Sequence, residues 1–402
     1  MHKRSIIGQL KQSLKNEKIL ILNGPRQSGK TTALKQLKEM LENEGGSCFY
    51  FTLEDRDYLN LIDDSPKNIF RIIPASIEKK IYLIVDEIQY LKDPSSFMKY
   101  LYDEHRDKIQ LIVSGSSSFY MDKKFKDSLA GRKKIFTLYP LSFREFLVFK
   151  GESELAEVVG KNLPLVYVDK IMPYLTEYLL FGGYPEVVLA DYDEKKEILR
   201  ELAYSYIKKD IFESGITDDD LFYRVFKLIS SSGGSLMNIS EVSRTLNCSR
   251  VKLEEVIAAM RKSFHISLVS PFSNNMRKEL TKMPKVYFND TGLMNFFSGS
   301  FQPVDLRADK GKIFETAVFR ALLDKYLLDS IHFWRTQDGK EIDFVIPEEK
   351  LAFEAKYSDA GYSPKKSERF LEYYNDFKLH CISLEKKISL QNDTVIPFPE
   401  FL

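Results

Sequence analysis

The stretch EKILILNGPRQSGKTTALKQL, residues 17–37, decides the fold of the N-terminal part of the chain. It consists of a short apolar run, a turn containing Gly and Pro, and a segment typical of a helix. A strand, such a turn and a helix form the context that the phosphate-binding pattern GxxxxGK[ST] requires, and residues 24–31 match that pattern. The stretch therefore predicts a nucleotide-binding α/β domain.

Each residue type in this loop has a physical role. Gly24 and Gly29 let backbone N–H groups fold around phosphate oxygens, and the helix that begins there adds the positive end of its dipole. Lys30 supplies a point charge for the outer phosphates, and Thr31 offers a hydroxyl to Mg²⁺. We expect ATP and Mg²⁺ as cofactors. The expected nucleotide-binding residues of the loop are Gly24, Pro25, Arg26, Gln27, Ser28, Gly29, Lys30, Thr31 and Thr32.

A second apolar run, IYLIVDEIQ at 81–89, ends in two acidic residues. We expect Asp86 to hold magnesium through water and Glu87 to polarise the attacking water. The alternative is a pair of acids that only caps a following helix.

Two further apolar runs complete the expected parallel sheet. SCFYFTLED at 47–55 lies between the two motifs, and KIQLIVSGSSS at 108–118 follows them. An additional strand between the motifs is typical of the arrangement that carries a catalytic glutamate. Ser114 or Ser116, at the end of the last strand, would then sense the terminal phosphate.

The motifs NGPRQSGKTT, VDEIQ, SGSSS, LAGR and YPLSFREFL occur in this order. With them the chain resembles the AAA-type domain of a large family of bacterial and archaeal ATP-binding proteins, whose members resemble one another over the whole chain. The resemblance implies an ATPase in which Lys30, Thr31, Asp86 and Glu87 have the roles given above. It also implies that Arg132 in LAGR completes the site of a neighbouring subunit in a homo-oligomer. The alternative is a surface arginine in a basic loop.

Charge and length limit the remaining possibilities. At about 150 residues per domain, the 402 residues suggest two to four domains. The 59 Lys and Arg residues against 58 Asp and Glu give a net charge of +1, so any binding of nucleic acid must be local. Basic stretches at 122–134 and 275–285 are candidates for it, and solvated charged faces are the alternative.

The cysteines and the apolar runs indicate in which cellular compartment we expect the protein. Cys48, Cys248 and Cys381 are scattered and odd in number, which argues against a disulfide framework and a zinc site and favours a reducing cytoplasm. The longest apolar runs are strand-sized and far short of the roughly 20 residues that span a bilayer, so we expect no membrane partner. The N-terminus lacks the apolar region of a secretory signal.

The middle of the chain is helical in pattern. Gly182, Gly183 and Pro185 in FGGYPE interrupt it and mark a turn between two helices. We expect residues 151–220 to form a helical lid or connector.

Residues 221–300 are expected to contain a winged helix-turn-helix. Two short helices joined at NCS, followed by the strand-like FHISLVSPF and KVYFND, are typical of that motif. In the DNA-binding version Arg250, Lys252 and Arg244 would face phosphates or bases. Winged helices also pack against proteins, and Glu254 and Glu255 on the second helix argue against DNA.

Residues 301–402 contain GKEIDFVIPEEKLAFEAK at 339–356. Alternation along a strand predicts that Ile342, Phe344 and Ile346 share one face. It places Glu341, Asp343 and Val345 on the other face, and it puts Glu354 and Lys356 together in the next strand.

The order helix, three strands, helix, strand is the one expected of a restriction-endonuclease-like fold, and EIDF and FEAK resemble the PD-(D/E)XK nuclease signature. Asp343 and Glu354 would hold a hard cation, with Glu315 as a third carboxylate. Lys356 would orient or deprotonate water, or stabilise charge on phosphate. An exposed charged hairpin and a nuclease fold used only for binding remain the alternatives.

The sequence thus predicts an α/β chain with an AAA-type P-loop domain of parallel strands at 1–150, a helical lid, a winged helix, and a nuclease-like α/β domain at 301–402. It predicts action on DNA with ATP turnover as the switch. The alternative is an ATP-driven binding or assembly module whose nuclease-like domain is inactive.

Overall fold

The computed structural model describes residues 2–74, 79–116, 129–206, 208–209, 215–216, 218–273, 283–385 and 395–402. The chain forms two compact units. One consists of residues 1–139 with 262–264, and the other of residues 140–261 with 265–402. The expected basic stretches at 122–134 and 275–285 lie mostly outside the described residues.

The first unit contains a five-stranded parallel sheet in the order β2-β3-β4-β1-β5. Its strands are β1 (Ile19–Asn23), β2 (Ser47–Thr52), β3 (Ile81–Asp86), β4 (Ile109–Gly115) and β5 (Lys133–Thr137). Its helices are α1 (Ile6–Ser13), α2 (Lys30–Asn43), α3 (Arg56–Asp64) and α4 (Pro94–His105). The parallel sheet expected of a phosphate-loop domain is confirmed.

Both faces of this sheet are covered, which explains why its central strands are apolar throughout. Ile21 of β1 packs in one core cluster with Leu83 and Val113, whereas Leu20 packs in another with Leu34 of α2. Because the strands are parallel, the carboxyl ends of β1, β3 and β4 meet at one edge. This is the edge at which open α/β sheets bind ligands.

The second unit combines helices with a seven-stranded mixed sheet in the order β12-β11-β10-β9-β8-β6-β7. Its strands are β6 (Ile266–Pro271), β7 (Lys285–Phe288), β8 (His332–Arg335), β9 (Glu341–Ile346), β10 (Leu351–Ser358), β11 (Lys378–Glu385) and β12 (Val395–Pro397). Its helices are α5 (Phe143–Phe149), α6 (Ser153–Val158), α7 (Leu165–Phe181), α8 (Pro185–Leu189), α9 (Lys195–Glu201), α10 (Asp219–Ser231), α11 (Ile239–Thr245), α12 (Arg250–Lys262), α13 (Thr291–Ser298), α14 (Lys310–Lys325), α15 (Pro364–Tyr373) and α16 (Phe398–Phe401).

One sheet carries both the hairpin that follows α12 and the C-terminal strands. β6 is antiparallel to β7, and it is parallel to β8 through the pairs Ser270 with His332 and Pro271 with Phe333. The order α14, β8, β9, β10, α15, β11 is the one expected from the sequence. This sheet brings β7 to the same unit as the C-terminal acids.

The expected helix break at FGGYPE is present, because α7 ends at Phe181 and α8 begins at Pro185. The buried Asp290 carboxylate, which caps α13, accepts a hydrogen bond from Gly183 N at 2.7 Å. A Cβ on Gly182 would lie 2.2 Å from Asp290 Oδ1. The two glycines therefore let the turn approach the start of α13 closely.

Gly292 and Gly311 provide a matched test of this packing, since each is the second residue of its helix. A Cβ on Gly292 would lie 2.0 Å from the Phe181 carbonyl oxygen, whereas a Cβ on Gly311 meets nothing within 4 Å. We expect Gly292→Ala to lower the free energy of unfolding by about 3 kcal/mol. Gly311→Ala should raise it by about 0.5 kcal/mol. Denaturant unfolding of the full chain checks both, and equal stabilities would contradict the packing described.

Strand β9 departs from strict alternation. His332 of β8 pairs with Val345 and Trp334 pairs with Ile342, so the pairing advances by two residues on β8 and by three on β9. Such an extra residue is a β-bulge, a feature that re-aims side chains.

The core contacts show the effect of the bulge. Ile342 and Val345 both belong to the cluster that contains Phe370 of α15. Phe344 instead stacks on Phe319 of α14, with ring centroids 6.3 Å apart. The expectation that Ile342 and Phe344 share a face, with Val345 opposite Ile342, is therefore wrong, because alternation does not hold across a bulge.

In the part of the chain that the structure describes, no helix is long and apolar enough to cross a membrane.

Candidate functional site

The phosphate loop connects β1 to α2, and its backbone requires glycine. Gly24 has φ +148° and Gly29 has φ +91°, and Gln27 also adopts a positive φ of 57°. A Cβ on Gly24 would lie 2.2 Å from the Leu138 carbonyl oxygen, so no larger residue fits there without a backbone shift.

Side chains from inside and outside the loop hold it in place. Arg4 Nη1 donates to Ser28 O at 2.5 Å, and Arg4 Nη2 donates to Tyr139 O at 2.8 Å. Ser28 Oγ donates to Pro25 O at 2.9 Å within the loop. Sequence reasoning missed Arg4, because nothing in the N-terminal stretch marks it as a contact of the loop.

Lys30 lies against the loop that precedes it. Its Nζ donates to Gly24 O at 3.0 Å and to Pro25 O at 2.8 Å, and the residue is buried. The other loop residues expected to contact nucleotide, Arg26, Gln27 and Thr32, are half-buried. The ammonium and the start of α2 are thus held at one place, as phosphate binding requires.

Asp86 is the centre of a hydrogen-bond cluster beside the loop. Thr31 Oγ1 donates to Asp86 Oδ2 at 2.7 Å, Tyr50 OH donates to the same oxygen at 2.9 Å, and Ser114 Oγ donates to Oδ1. Burial, with the adjacent Asp86 charge, raises the pKa of Tyr50, so the phenol remains a donor. Tyr50 was missed from the sequence, where it is one of several aromatic residues in an apolar run.

The oxygen atoms of this cluster are suitable ligands for magnesium. Thr31 and Asp86 place a hydroxyl and a buried carboxylate in contact at the carboxyl end of β3. Oxygen donors of these types suit Mg²⁺. The residues present therefore fit the expected cofactor.

Glu87 follows Asp86 with a left-handed backbone, φ 57°, which is uncommon for a residue other than glycine. Its N–H donates to Ser114 Oγ at 3.2 Å. Gln89 Nε2 donates to Glu87 Oε2 and also to Ser116 Oγ at 3.0 Å. Ser114 thus connects the two acidic residues, and Gln89 connects Ser116 to the Glu87 carboxylate.

Arg132 lies at the amino-terminal end of the strands, whereas the phosphate loop lies at their carboxyl end. Its carbonyl oxygen accepts from Ile19 N at 2.9 Å, at the start of β1, whereas the loop follows the end of β1. Its guanidinium pairs with Asp103, with Nε 2.8 Å from Oδ1. The structure therefore does not bring Arg132 to the loop of its own chain, and its role towards a neighbouring subunit stays a prediction.

A second polar cluster lies in the other unit and is centred on Lys285, the first residue of β7. Lys285 Nζ is 3.0 Å from Glu315 Oε1, 2.5 Å from Glu341 Oε1 and 3.5 Å from Asp343 Oδ1. Tyr287 OH donates to Glu315 Oε1 at 2.6 Å. We call these five residues the Lys285 centre. Sequence reasoning placed Lys285 at the end of the basic stretch 275–285 and missed its position among these acids.

Lys356 forms the adjoining pairs. Its Nζ lies 2.6 Å from Glu354 Oε2 and 3.5 Å from Asp343 Oδ2, and Ala355 N donates to Asp343 Oδ2 at 2.9 Å. Asp343, Glu354 and Lys356 thus do meet, as the sequence suggested.

Burial and charge shift the pKa values in opposite directions. Burial raises the pKa of Glu315 to about 7, although Lys285 opposes the shift. Burial alone would also raise the pKa of Asp343, but the Lys285 and Lys356 ammoniums hold it below its ordinary value. Burial alone would lower the pKa of Lys356, yet Asp343 and Glu354 raise it. Lys356 therefore stays protonated, which suits charge stabilisation better than removal of a proton from water.

The C-terminal acids do not fit a metal ion as they stand. Among the described residues, no three or more His, Cys, Asp or Glu side chains are arranged to hold one. Glu315, Asp343 and Glu354, the expected metal ligands, each direct an oxygen at a lysine ammonium instead.

The helices expected to form the helix-turn-helix are present as α11 and α12. Asn238 caps α11 by accepting from Glu241 N at 3.2 Å. Arg244, Arg250 and Lys252 on these helices are exposed, and acids pair with two of them. Arg250 Nε is 2.8 Å from Glu254 Oε1, and Lys252 Nζ is 3.9 Å from Asp218 Oδ2. Arg244 Nε donates to Ser240 O.

Comparison with known families agrees with the geometry of the first unit. Residues 16–147 match the model of a family described as an AAA domain. The N-terminal part of the chain is an AAA-type P-loop domain. Residues 172–303 and 310–401 match two models, each described as a domain of unknown function (DUF8612 and DUF4143).

Similar chains exist in distant organisms. An uncharacterized protein of Haemophilus influenzae is 26% identical over 355 residues, which cover 85% of this chain and 83% of that protein. An uncharacterized protein of Methanocaldococcus jannaschii is 28% identical over 389 residues, which cover 94% and 82%. Since these alignments extend over most of both chains, the AAA-type domain and the C-terminal segments occur together in such relatives.

Solved structures show only a weak likeness. AMPPCP-bound DnaA from Aquifex aeolicus has a TM-score of 0.31 and 14% identity, with 65% of this chain and 88% of that chain covered. Drosophila ORC bound to DNA has a TM-score of 0.25 and 15% identity, with 34% and 89% covered.

Proposed function

We propose that the protein binds and hydrolyses ATP at its phosphate loop and uses ATP turnover as a switch for acting on DNA. The observation that supports ATP hydrolysis best is the contact of Thr31, Tyr50 and Ser114 with the buried Asp86 carboxylate, directly beside the loop. A phosphate loop that only packed against its neighbours would have no need of this hydroxyl and carboxylate pair.

The residues of the loop bind the nucleotide. Its backbone N–H groups and the start of α2 bind phosphate oxygens, and Lys30 meets the outer phosphates. Thr31 and Asp86 would hold Mg²⁺, which supplies positive charge against the charge that develops on the phosphate. Tyr50 and Ser114 fix the orientation of the Asp86 carboxylate by donating to its two oxygens.

Glu87 orients and polarises the attacking water. Ser114 accepts from the Glu87 backbone, and Gln89 donates to its carboxylate, so both the main chain and the side chain of Glu87 are held. Because Ser116 also bonds Gln89, the end of β4 is linked to the residue that acts on the water.

Phosphate release by the full chain with Mg²⁺ tests this assignment. We expect hydrolysis by the wild type and a loss of about 10²-fold or more in Lys30→Ala, which removes the charge facing the outer phosphates. Lys38→Ala is the matched control, since Lys38 lies on the same helix and pairs with Glu42 on its exposed side. A wild-type rate no higher than that of Lys30→Ala would refute the assignment.

We also propose that Arg132 completes the site of a neighbouring subunit. Its position at the amino-terminal end of the strands, away from the phosphate loop of its own chain, supports this role. Mixing Lys30→Ala and Arg132→Ala chains should then restore hydrolysis, because one chain supplies the intact loop and the other the arginine. If the mixture hydrolyses ATP only at the sum of the rates of the two separate variants, Arg132 does not act on a neighbouring site.

DNA binding is assigned to the exposed basic residues of α12. Arg250→Ala or Lys252→Ala should remove one phosphate contact, so the plot of log K against log salt for duplex DNA becomes shallower by about 0.9. Glu254→Gln is the opposing control, because it frees Arg250 and should strengthen binding. Fluorescence anisotropy across a salt series measures all three, and unchanged slopes would count against DNA contact at α12.

A metal-dependent nuclease is the second candidate for the C-terminal unit, favoured by the meeting of Asp343, Glu354 and Lys356 beside a β-bulge. Cleavage of supercoiled and linear DNA with Mg²⁺ or Mn²⁺ tests it, with Asp343→Asn, which keeps the size of the side chain, as the inactive reference. The pairing of these acids with lysines supports the other interpretation, a unit that holds a partner without cutting it.

A further inference from the structure

We propose that Lys285 takes the position of a metal ion in the C-terminal unit, so that this unit holds no metal ion among the acids of the Lys285 centre. The Lys285 ammonium lies among Glu315, Glu341 and Asp343. Two of these three, Glu315 and Asp343, are residues that the nuclease-like pattern assigns to a metal. The cation they face is instead supplied by the chain itself.

The bonding capacity of the ammonium matches its surroundings. A lysine ammonium has three N–H donors, and three carboxylates approach it. The Lys285 side chain is only 1% exposed. The three facing carboxylates compensate the charge of the buried ammonium.

The backbone that carries Lys285 is held on both sides. Lys285 pairs with Val269 in the β6–β7 ladder, and Leu236 forms a bridge to Lys285 on its other side. Val286 N donates to Ser235 O at 3.1 Å. Moving Lys285 out of this position would therefore break its ion pairs and would also disrupt the strand pairing on both sides of β7.

The acids around the ammonium are equally confined. A Cβ on Gly234 would lie 2.8 Å from Glu315 Oε1, so Gly234 provides the room that this carboxylate occupies. The second oxygen of Glu341 pairs with Arg335 Nη1 at 2.5 Å, and the second oxygen of Asp343 faces Lys356. Entry of a divalent cation would leave a buried ammonium beside a second positive charge, which is strongly unfavourable.

The Lys285 centre also connects segments that are distant in the sequence. The Lys285 centre joins β7, α14 and β9 by ion pairs, and β7 belongs to the hairpin that follows α12. The helix-turn-helix segment and the C-terminal strands are thereby parts of one unit. This inference rests on the Lys285 geometry, and it holds or fails independently of ATP hydrolysis at Lys30.

Binding of Mn²⁺ to the nucleotide-free full chain, counted by equilibrium dialysis, tests the proposal. We expect the wild type and Asp343→Asn to bind the same number of ions, because Asp343 holds none. Lys285→Ala should gain one ion, since it empties the space between three carboxylates, and Lys285→Ala with Asp343→Asn should lose it again. Lys285→Met, which removes the charge but keeps the bulk, should gain none.

A wild-type ion that Asp343→Asn removes would overturn the proposal. So would a folded Lys285→Ala chain that gains no ion. Should Lys285→Ala not fold, the comparison of the wild type with Asp343→Asn still decides the question, because neither removes the lysine. Phosphate release by the same preparations reports the ATP site separately, so a failure there is distinguishable from a failure here.

Discussion

Glu87→Gln is expected to lower kcat for ATP hydrolysis by roughly 10²–10⁴-fold while leaving the affinity for ATP close to that of the wild type. The amide keeps the size of the side chain but cannot accept a proton from the attacking water. Binding should persist because Lys30, Thr31 and Asp86 are untouched. Phosphate release in single turnover and titration with a fluorescent ATP analogue measure the two quantities.

Two variants sharpen this result. Glu42→Gln, an exposed carboxylate on α2, should leave both quantities unchanged. Gln89→Ala should lower kcat to a smaller extent than Glu87→Gln, because Gln89 acts only by positioning the Glu87 carboxylate. Full turnover in Glu87→Gln would show that another group activates the water.

Asp343→Ala is expected to lower the free energy of unfolding of the second unit by about 3–5 kcal/mol. The substitution removes a buried carboxylate that two lysine ammoniums face, so part of their charge is left uncompensated. Asp343 faces both Lys285 and Lys356, and its side chain is only 11% exposed. Denaturant unfolding of the full chain, followed in the transition of the second unit, measures the loss.

Asp338→Ala is the matched control for this prediction. Asp338 pairs with Arg369 at 2.6 Å, but the pair lies on the surface, where ion pairs contribute little. Equal stabilities of the two variants would show that the Lys285 centre does not hold the second unit together.

The nucleotide site could be anticipated because its determinants are local. The glycines of the loop, Lys30 and Thr31 lie within one short stretch, and the acids at 86 and 87 end an apolar strand. Parallel strands then bring these ends to one edge, which is a rule of topology. Tyr50 and Arg4 could not be anticipated, because their contacts depend on how distant segments pack.

The C-terminal unit was anticipated less completely for two physical reasons. The alternation rule cannot reveal an inserted residue, so the bulge that places Ile342 and Val345 on one side is invisible in EIDFVI. The partner of the acids, Lys285, comes from β7, which joins their sheet through β6 and β8. A pattern of acids indicates that a cation is needed there, but it does not say whether a metal or a lysine supplies it.

The affinity of the Glu87→Gln chain for duplex DNA, measured with ATP and again with ADP, tests the central claim most directly. This variant keeps ATP bound without turning it over, so each nucleotide state is stable during the titration. If ATP turnover is the switch, the two affinities should differ by about tenfold or more. Equal affinities with ATP and ADP would contradict the account, because DNA binding would then be independent of the nucleotide.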